Sequence, residues 1–127
     1  MACRFTELVI DCQDHEMLGR FWSRVLGYEI TEQSDGPVHY YVELQGPDGA
    51  GPTILLLCTP DQKVAKNRVH IDVNPTDRGR DEEVERILAL GASRADIGQG
   101  EQSWVVLADP EGNEFCVLQS TVEPHRA

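Results

Sequence analysis

A stretch near the end of the chain has a counterpart near its middle, and the pair points to one unit written twice. Asp109-Pro110-Glu111-Gly112-Asn113 is followed by Glu114 to Leu118, and Asp48-Gly49-Ala50-Gly51-Pro52 is followed by Thr53 to Leu57. Each begins with Asp, has Gly three positions on, and runs into mostly apolar residues. Asp-Pro opens a turn because Pro fixes φ and the Asp side chain bonds the backbone ahead of it. Gly112-Asn113 supplies the left-handed positions of a sharp reversal.

The rest of the chain repeats in the same order. Phe5 to Cys12 alternates as a strand, with Leu8, Ile10 and Cys12 on one face and Glu7, Val9 and Asp11 on the other. Asp14 caps a helix whose apolar residues Met17, Leu18, Phe21, Trp22, Val25 and Leu26 fall at helical spacing, and Gly27 ends it. Strands are expected over 28–32, 38–45 and 53–58, with a turn at Ser34-Asp35-Gly36-Pro37. After a linker at about 59–68, a strand again covers 69–73. A helix follows with Val84, Ile87 and Leu88 as its apolar side and Gly91 at its end. Strands over 94–97, 103–108 and 114–118 complete the unit, and the tail from Thr121 reads as frayed.

The registers agree. Glu7 corresponds to His70, Asp14 to Asp77, Gly27 to Gly91, Asp48 to Asp109 and Leu55 to Cys116. Repetition of this kind outweighs any single motif, because its matches are independent. The expected fold is α+β: two tandem βαβββ modules, about 5–58 and 69–119, in one domain. They form a cup-shaped, partly open barrel with the helices outside.

Composition narrows the function. A formal net charge of −11 on 127 residues argues against nucleic acid, whose phosphates need clustered Lys and Arg. No apolar run approaches a membrane span, and residues 1–5 lack the layout of a signal peptide, so a cytoplasmic protein is expected. The four cysteines, Cys3, Cys12, Cys58 and Cys116, are scattered without a CxxC pair, which reads as free thiols.

With the helix motif Phe21-Trp22-Ser23-Arg24-Val25-Leu26-Gly27-Tyr28 after Asp14, Val69-His70-Ile71-Asp72-Val73, and Asp109-Pro110-Glu111-Gly112-Asn113, the sequence resembles the vicinal oxygen chelate superfamily over about 5–119. That superfamily includes glyoxalase I, bleomycin-resistance proteins and extradiol dioxygenases. The resemblance implies two βαβββ modules, usually a homodimer, and no single reaction. It also implies, in the family's enzymes, a divalent metal held by His and Glu at positions that fall here on Glu7, Leu55, His70 and Cys116. Leu55 cannot bind a metal. No cofactor is therefore expected; a divalent metal, if present, would be held by Glu7, His70 and Cys116.

His70 and Asp72 share a strand face and are the candidate catalytic or orienting pair. Glu7, Asp11, Tyr41, Trp104 and Cys116 are the candidate ligand-binding residues, the acids for a cationic group and the aromatics for stacking. Either Tyr40 or Tyr41 can line the site, since alternation sends them to opposite faces. Two functions stay open. One is a small-molecule-binding protein of the bleomycin-resistance kind, without the full metal site, whose ligand is cationic and aromatic. The other is a lyase, isomerase or dioxygenase of the glyoxalase type that uses His70 and a metal.

Overall fold

A computed structural model describes residues 1–36 and 39–125. The chain divides into two compact units, Met1–Gln62 and Lys63–Pro124. Each is a βαβββ module with the same topology.

The first module runs β1 (Glu7–Cys12), α1 (His15–Leu26), β2 (Glu29–Asp35), β3 (Tyr40–Gln45) and β4 (Thr53–Cys58). Its sheet has the order β1-β4-β3-β2, with β1 parallel to β4 and the other pairs antiparallel. Helix α1 starts where Asp14 accepts a hydrogen bond from the Met17 amide at 3.0 Å and stops at Gly27 in the left-handed conformation. Its apolar stripe, Leu18, Phe21, Trp22 and Val25, is buried together with Gly19. Gly19 sits so close to Val42 of β3 that a Cβ there would lie 2.7 Å from the Val42 Cγ1. The helix therefore covers the face carrying Val42 and Leu44, and with them their β4 partners Leu56 and Ile54. Alternation leaves Val9, Tyr41, Glu43, Leu55 and Leu57 on the opposite, open face.

The second module runs β5 (Ile71–Val73), α2 (Arg80–Ala89), β6 (Ser93–Arg94), β7 (Val105–Ala108) and β8 (Glu114–Val117), in the sheet order β5-β8-β7-β6. Again the first and last strands are parallel. Arg94 pairs with Leu107 in the sheet and reaches Glu85 of α2 at 3.4 Å, which marks the Leu107 and Phe115 side as the helix face. Neither four-stranded sheet closes into a barrel by itself. No helix among the described residues is long and apolar enough to cross a membrane.

Several expected boundaries move. Strand β5 begins at Ile71, and Val69, expected within that strand, is exposed. Helix α2 begins at Arg80 behind a Gly79 N-cap that has no side-chain cap bond. Asp77, the counterpart of Asp14, instead takes a two-point ion pair from the adjacent Arg78, at 2.8 and 3.0 Å. A charged neighbour outcompetes a backbone amide for that carboxylate. Strands β6 and β7 are shorter than expected, whereas β2 is longer and takes in Ser34 and Asp35. Pro37 of the expected turn and Val38 of the expected strand lie outside the described residues. The start of the tail is tied down rather than frayed: the Thr121 hydroxyl donates to the Arg78 carbonyl and the Val122 amide to the Pro75 carbonyl, both at 3.0 Å.

Candidate functional site

The open face of the second module brings three chemically active side chains together. In the parallel pair β5–β8, Asp72 is registered against Cys116, and partners in such a pair project to the same side. His70 precedes β5 by one residue and lies two positions before Asp72, with its Nε2 3.2 Å from Asp72 Oδ1. Ligand atoms of His70, Asp72 and Cys116 all lie within 4.8 Å of one another. Exposure differs across the trio: the His70 and Asp72 side chains are 41% and 48% exposed, whereas Cys116 is buried. Burial pushes the Cys116 thiol up, the Asp72 carboxylate that accepts its hydrogen bond adds to this, and the Lys66 ammonium pulls the other way. The thiol is accordingly held protonated, a poor nucleophile.

Glu114, one residue before Phe115 on the same strand face as Cys116, was not singled out by sequence reasoning. Its carboxylate accepts from the Lys63 ammonium at 2.7 Å and from the Asn67 amide at 3.2 Å, while Asn67 Nδ2 donates to Asn113 Oδ1 at 2.9 Å. These bonds hold the segment before β5 against the start of β8. Burial pushes the Glu114 carboxyl up, but the Lys63 and amide hydrogen bonds outweigh it and leave the group below its ordinary value of 4.5. Its stabilising contribution is therefore fully present above pH 4.5 and is lost as pH falls through the lower folded value. Glu114→Gln is expected to lower the urea midpoint at pH 7 by an amount equivalent to about 1–3 kcal/mol. That deficit should shrink as the pH is taken below the range of ordinary carboxylates. A deficit of constant size down to acid pH would show that the charge of Glu114 contributes nothing.

Trp104 lines an open depression of about 420 Å³ with Arg80, Arg94, Gln99, Gln102 and Val106. Val106 is the β7 partner of Cys116, so the depression borders the face of the trio. Arg80 is held by Asp81 and by the Ser103 carbonyl, and Arg94 by Glu85.

In the first module the same positions carry different chemistry. By register, Glu7 stands where His70 stands, Val9 where Asp72 stands, and Leu55 where Cys116 stands. Leu55 lies between Val9 and Glu43, so an apolar pair replaces the carboxylate and thiol of the second module. Glu7 and Asp11 are exposed on β1. Tyr41, not Tyr40, is on this open face; its hydroxyl donates to Glu32, which raises its pKa. Tyr40 is on the helix side, edge-on to the His15 ring at 6.1 Å. Glu43 accepts from the Thr31 hydroxyl at 2.8 Å and from Gln45 Nε2 at 3.0 Å.

This donor set does not fit the hard metal centre implied by the resemblance. Leu55 offers no ligand atom, and Cys116 offers sulfur where a hard divalent cation prefers oxygen.

Comparison with known proteins places these features. The glyoxalase-like domain family matches the chain over residues 7–118. Curated proteins offer no match. Among solved structures, the fosfomycin resistance protein FosX of Listeria monocytogenes, complexed with Mn(II) and sulfate, is similar with a TM-score of 0.73 at 19% identity, covering 98% of each chain. FosX of Mesorhizobium loti is similar with a TM-score of 0.72 at 15% identity, over 96% of this chain and 95% of that one. A glyoxalase/bleomycin resistance protein/dioxygenase family enzyme of Burkholderia phytofirmans PsJN has a TM-score of 0.67 at 18% identity, over 91% and 97%. At these identities the likeness is one of fold.

Proposed function

The chain belongs to the glyoxalase-like domain family of the vicinal oxygen chelate superfamily, and from that premise we propose that it binds a small organic molecule without the family's full metal site. The observation that carries this is Leu55 paired with Val9, an apolar couple at the position where the second module has Asp72 and Cys116. Relatives in fold are named for resistance to fosfomycin and to bleomycin, which are small organic molecules, and this supports a small-molecule ligand.

The ligand is proposed to be cationic and aromatic. Each module offers both kinds of group by itself: the first has the exposed carboxylates of Glu7 and Asp11 and the ring of Tyr41, and the second has the carboxylate of Asp72 and the ring of Trp104. A net charge of −11 raises the local concentration of cations, and a cation stacked on a ring gains roughly 0.5–2 kcal/mol. A second reading is an enzyme of the glyoxalase type, lyase, isomerase or dioxygenase. One observation favours it: His70 within 3.2 Å of Asp72, an arrangement that orients an imidazole for proton transfer. The protein is further proposed to act in the cytoplasm as a homodimer that covers its sheet edges.

A panel of aromatic ammonium compounds, neutral analogues and aromatic acids tests the ligand class by calorimetry. Binding is expected for the cations only, weakening as salt rises and in Glu7→Gln and Asp72→Asn. Binding of acids alone, indifferent to both substitutions, would reject the electrostatic reading. Sedimentation of the same samples that gave only monomer at micromolar concentration would reject the dimer.

A further inference from the structure

Strands β1 and β4 end level with each other, and each ends on a cysteine. In this parallel pair Cys12 is registered against Cys58, and partners in such a pair project to the same side. Alternation places Cys12 with Leu8 and Ile10, and Cys58 with Ile54 and Leu56, on the face that α1 covers. The Cys58 thiol donates at 3.4 Å to the carbonyl of Gln13, the residue after Cys12, which turns its sulfur toward the end of β1. Cys12 is 2% exposed, whereas Cys58 is half-buried. From this pairing we propose that Cys12 and Cys58 are a reversible thiol–disulfide couple, oxidised by a hydroperoxide.

Neighbouring strands lie about 4.7–4.9 Å apart, within the Cα separation that a disulfide spans. In a parallel pair the two Cβ atoms stand about as far apart as the strands, a little beyond the usual disulfide value. The bond between them therefore carries strain and is readily reduced. Oxidation starts at Cys58, the accessible member. Its sulfur, as thiolate, attacks hydrogen peroxide: an S–O bond forms, the O–O bond breaks, and the departing hydroxide takes up the thiol proton as water. The Cys12 sulfur then attacks the sulfenic acid of Cys58. The S–S bond forms, the S–O bond breaks, and the Cys12 proton leaves with the hydroxide as a second water. Two electrons pass from the sulfur pair to one peroxide. A small thiol that reaches the Cys58 sulfur reverses the change. Since β1 is the edge strand of its sheet, bonded to β4, the disulfide fastens the strand that carries Glu7 and Asp11.

The test uses the whole chain carrying Cys3→Ser, which removes the exposed competing thiol, treated with hydrogen peroxide in the absence of denaturant. The folded chain is expected to lose two of its three remaining thiols and the mass of two hydrogen atoms. Peptide mapping should link Cys12 to Cys58 within one chain, and dithiothreitol should restore both thiols. With Cys12→Ser added, Cys58 should stop at the sulfenic acid and be trapped by dimedone. With Cys58→Ser added instead, Cys12 should remain a thiol under the same exposure. No loss of thiols, a link through Cys116 or between chains, a dimedone adduct on Cys58 that never passes to disulfide while Cys12 is present, or a bond that dithiothreitol does not open would overturn the proposal. Cys58 is half-buried at a strand end, so its variant is informative even if Cys12→Ser does not fold.

Discussion

Trp22→Ala is expected to destabilise the first module by about 3–5 kcal/mol, the range for truncating a large buried aromatic. Trp22 is 1% exposed and occupies the centre of the α1 stripe, with the Phe21 ring edge-on at 5.2 Å. Helix α1 is twelve residues long, so it depends on tertiary packing for its stability. Removing the indole leaves a cavity that its neighbours fill only in part, because Gly19 already sets the closest approach of the helix to Val42. The midpoint of thermal unfolding should fall by roughly 10–20 °C for a domain of this size. Trp22→Phe should recover more than half of that loss. A fall of only a few degrees in Trp22→Ala would mean that α1 is held by something other than its apolar face.

Asp109→Ala should cost about 2–4 kcal/mol, through a different mechanism. Asp109 is 2% exposed and acts as the hub of the turn into β8. Its Oδ1 accepts from the Glu111 and Asn113 amides, both at 2.9 Å, and its Oδ2 accepts from Asn113 Nδ2 at 2.9 Å. Backbone bonds from the Gly112 amide to the Asp109 carbonyl, and from the Asp109 amide to the Asn113 carbonyl, close the same loop. Gly112 has a φ of 89°, which a side chain would strain. Alanine removes the acceptor and leaves two amides in a partly buried turn without their partner. Asp109→Asn keeps one oxygen for the two amides but turns an NH₂ group toward the Asn113 side chain, and should recover about half of the loss. Equal stability of Asp109→Ala and wild type, read by urea unfolding, would remove the turn from the forces that define β8. Since β8 carries Cys116, Asp109→Ala should also loosen the trio around Asp72.

Much of this was legible in the sequence because local chemistry decides it. The Asp14 cap, the Gly27 stop and the α1 stripe each act within a turn of the chain. The repeat then extended those readings to the second module and equated Leu55 with Cys116 before any contact was visible. Proximity of His70 to Asp72 followed from their two-residue spacing.

The misreadings arose where a neighbour from elsewhere decides the outcome. Asp77 is in register with Asp14, yet Arg78 beside it takes the carboxylate and α2 starts three residues later. The role of Asp72 toward Cys116 depends on a parallel pairing between residues 44 apart, which alternation within one strand does not reveal. Glu114 depends on Lys63, 51 positions earlier in what reads as a linker.

The most direct test of metal-independent small-molecule binding is a calorimetric titration of one aromatic ammonium compound, run on the same preparation with excess chelator and again with added manganese. The account predicts the same affinity in both, with binding weakened in Glu7→Gln. Binding that vanishes in chelator and returns only with manganese would contradict it, and would make the glyoxalase-type enzyme the better reading.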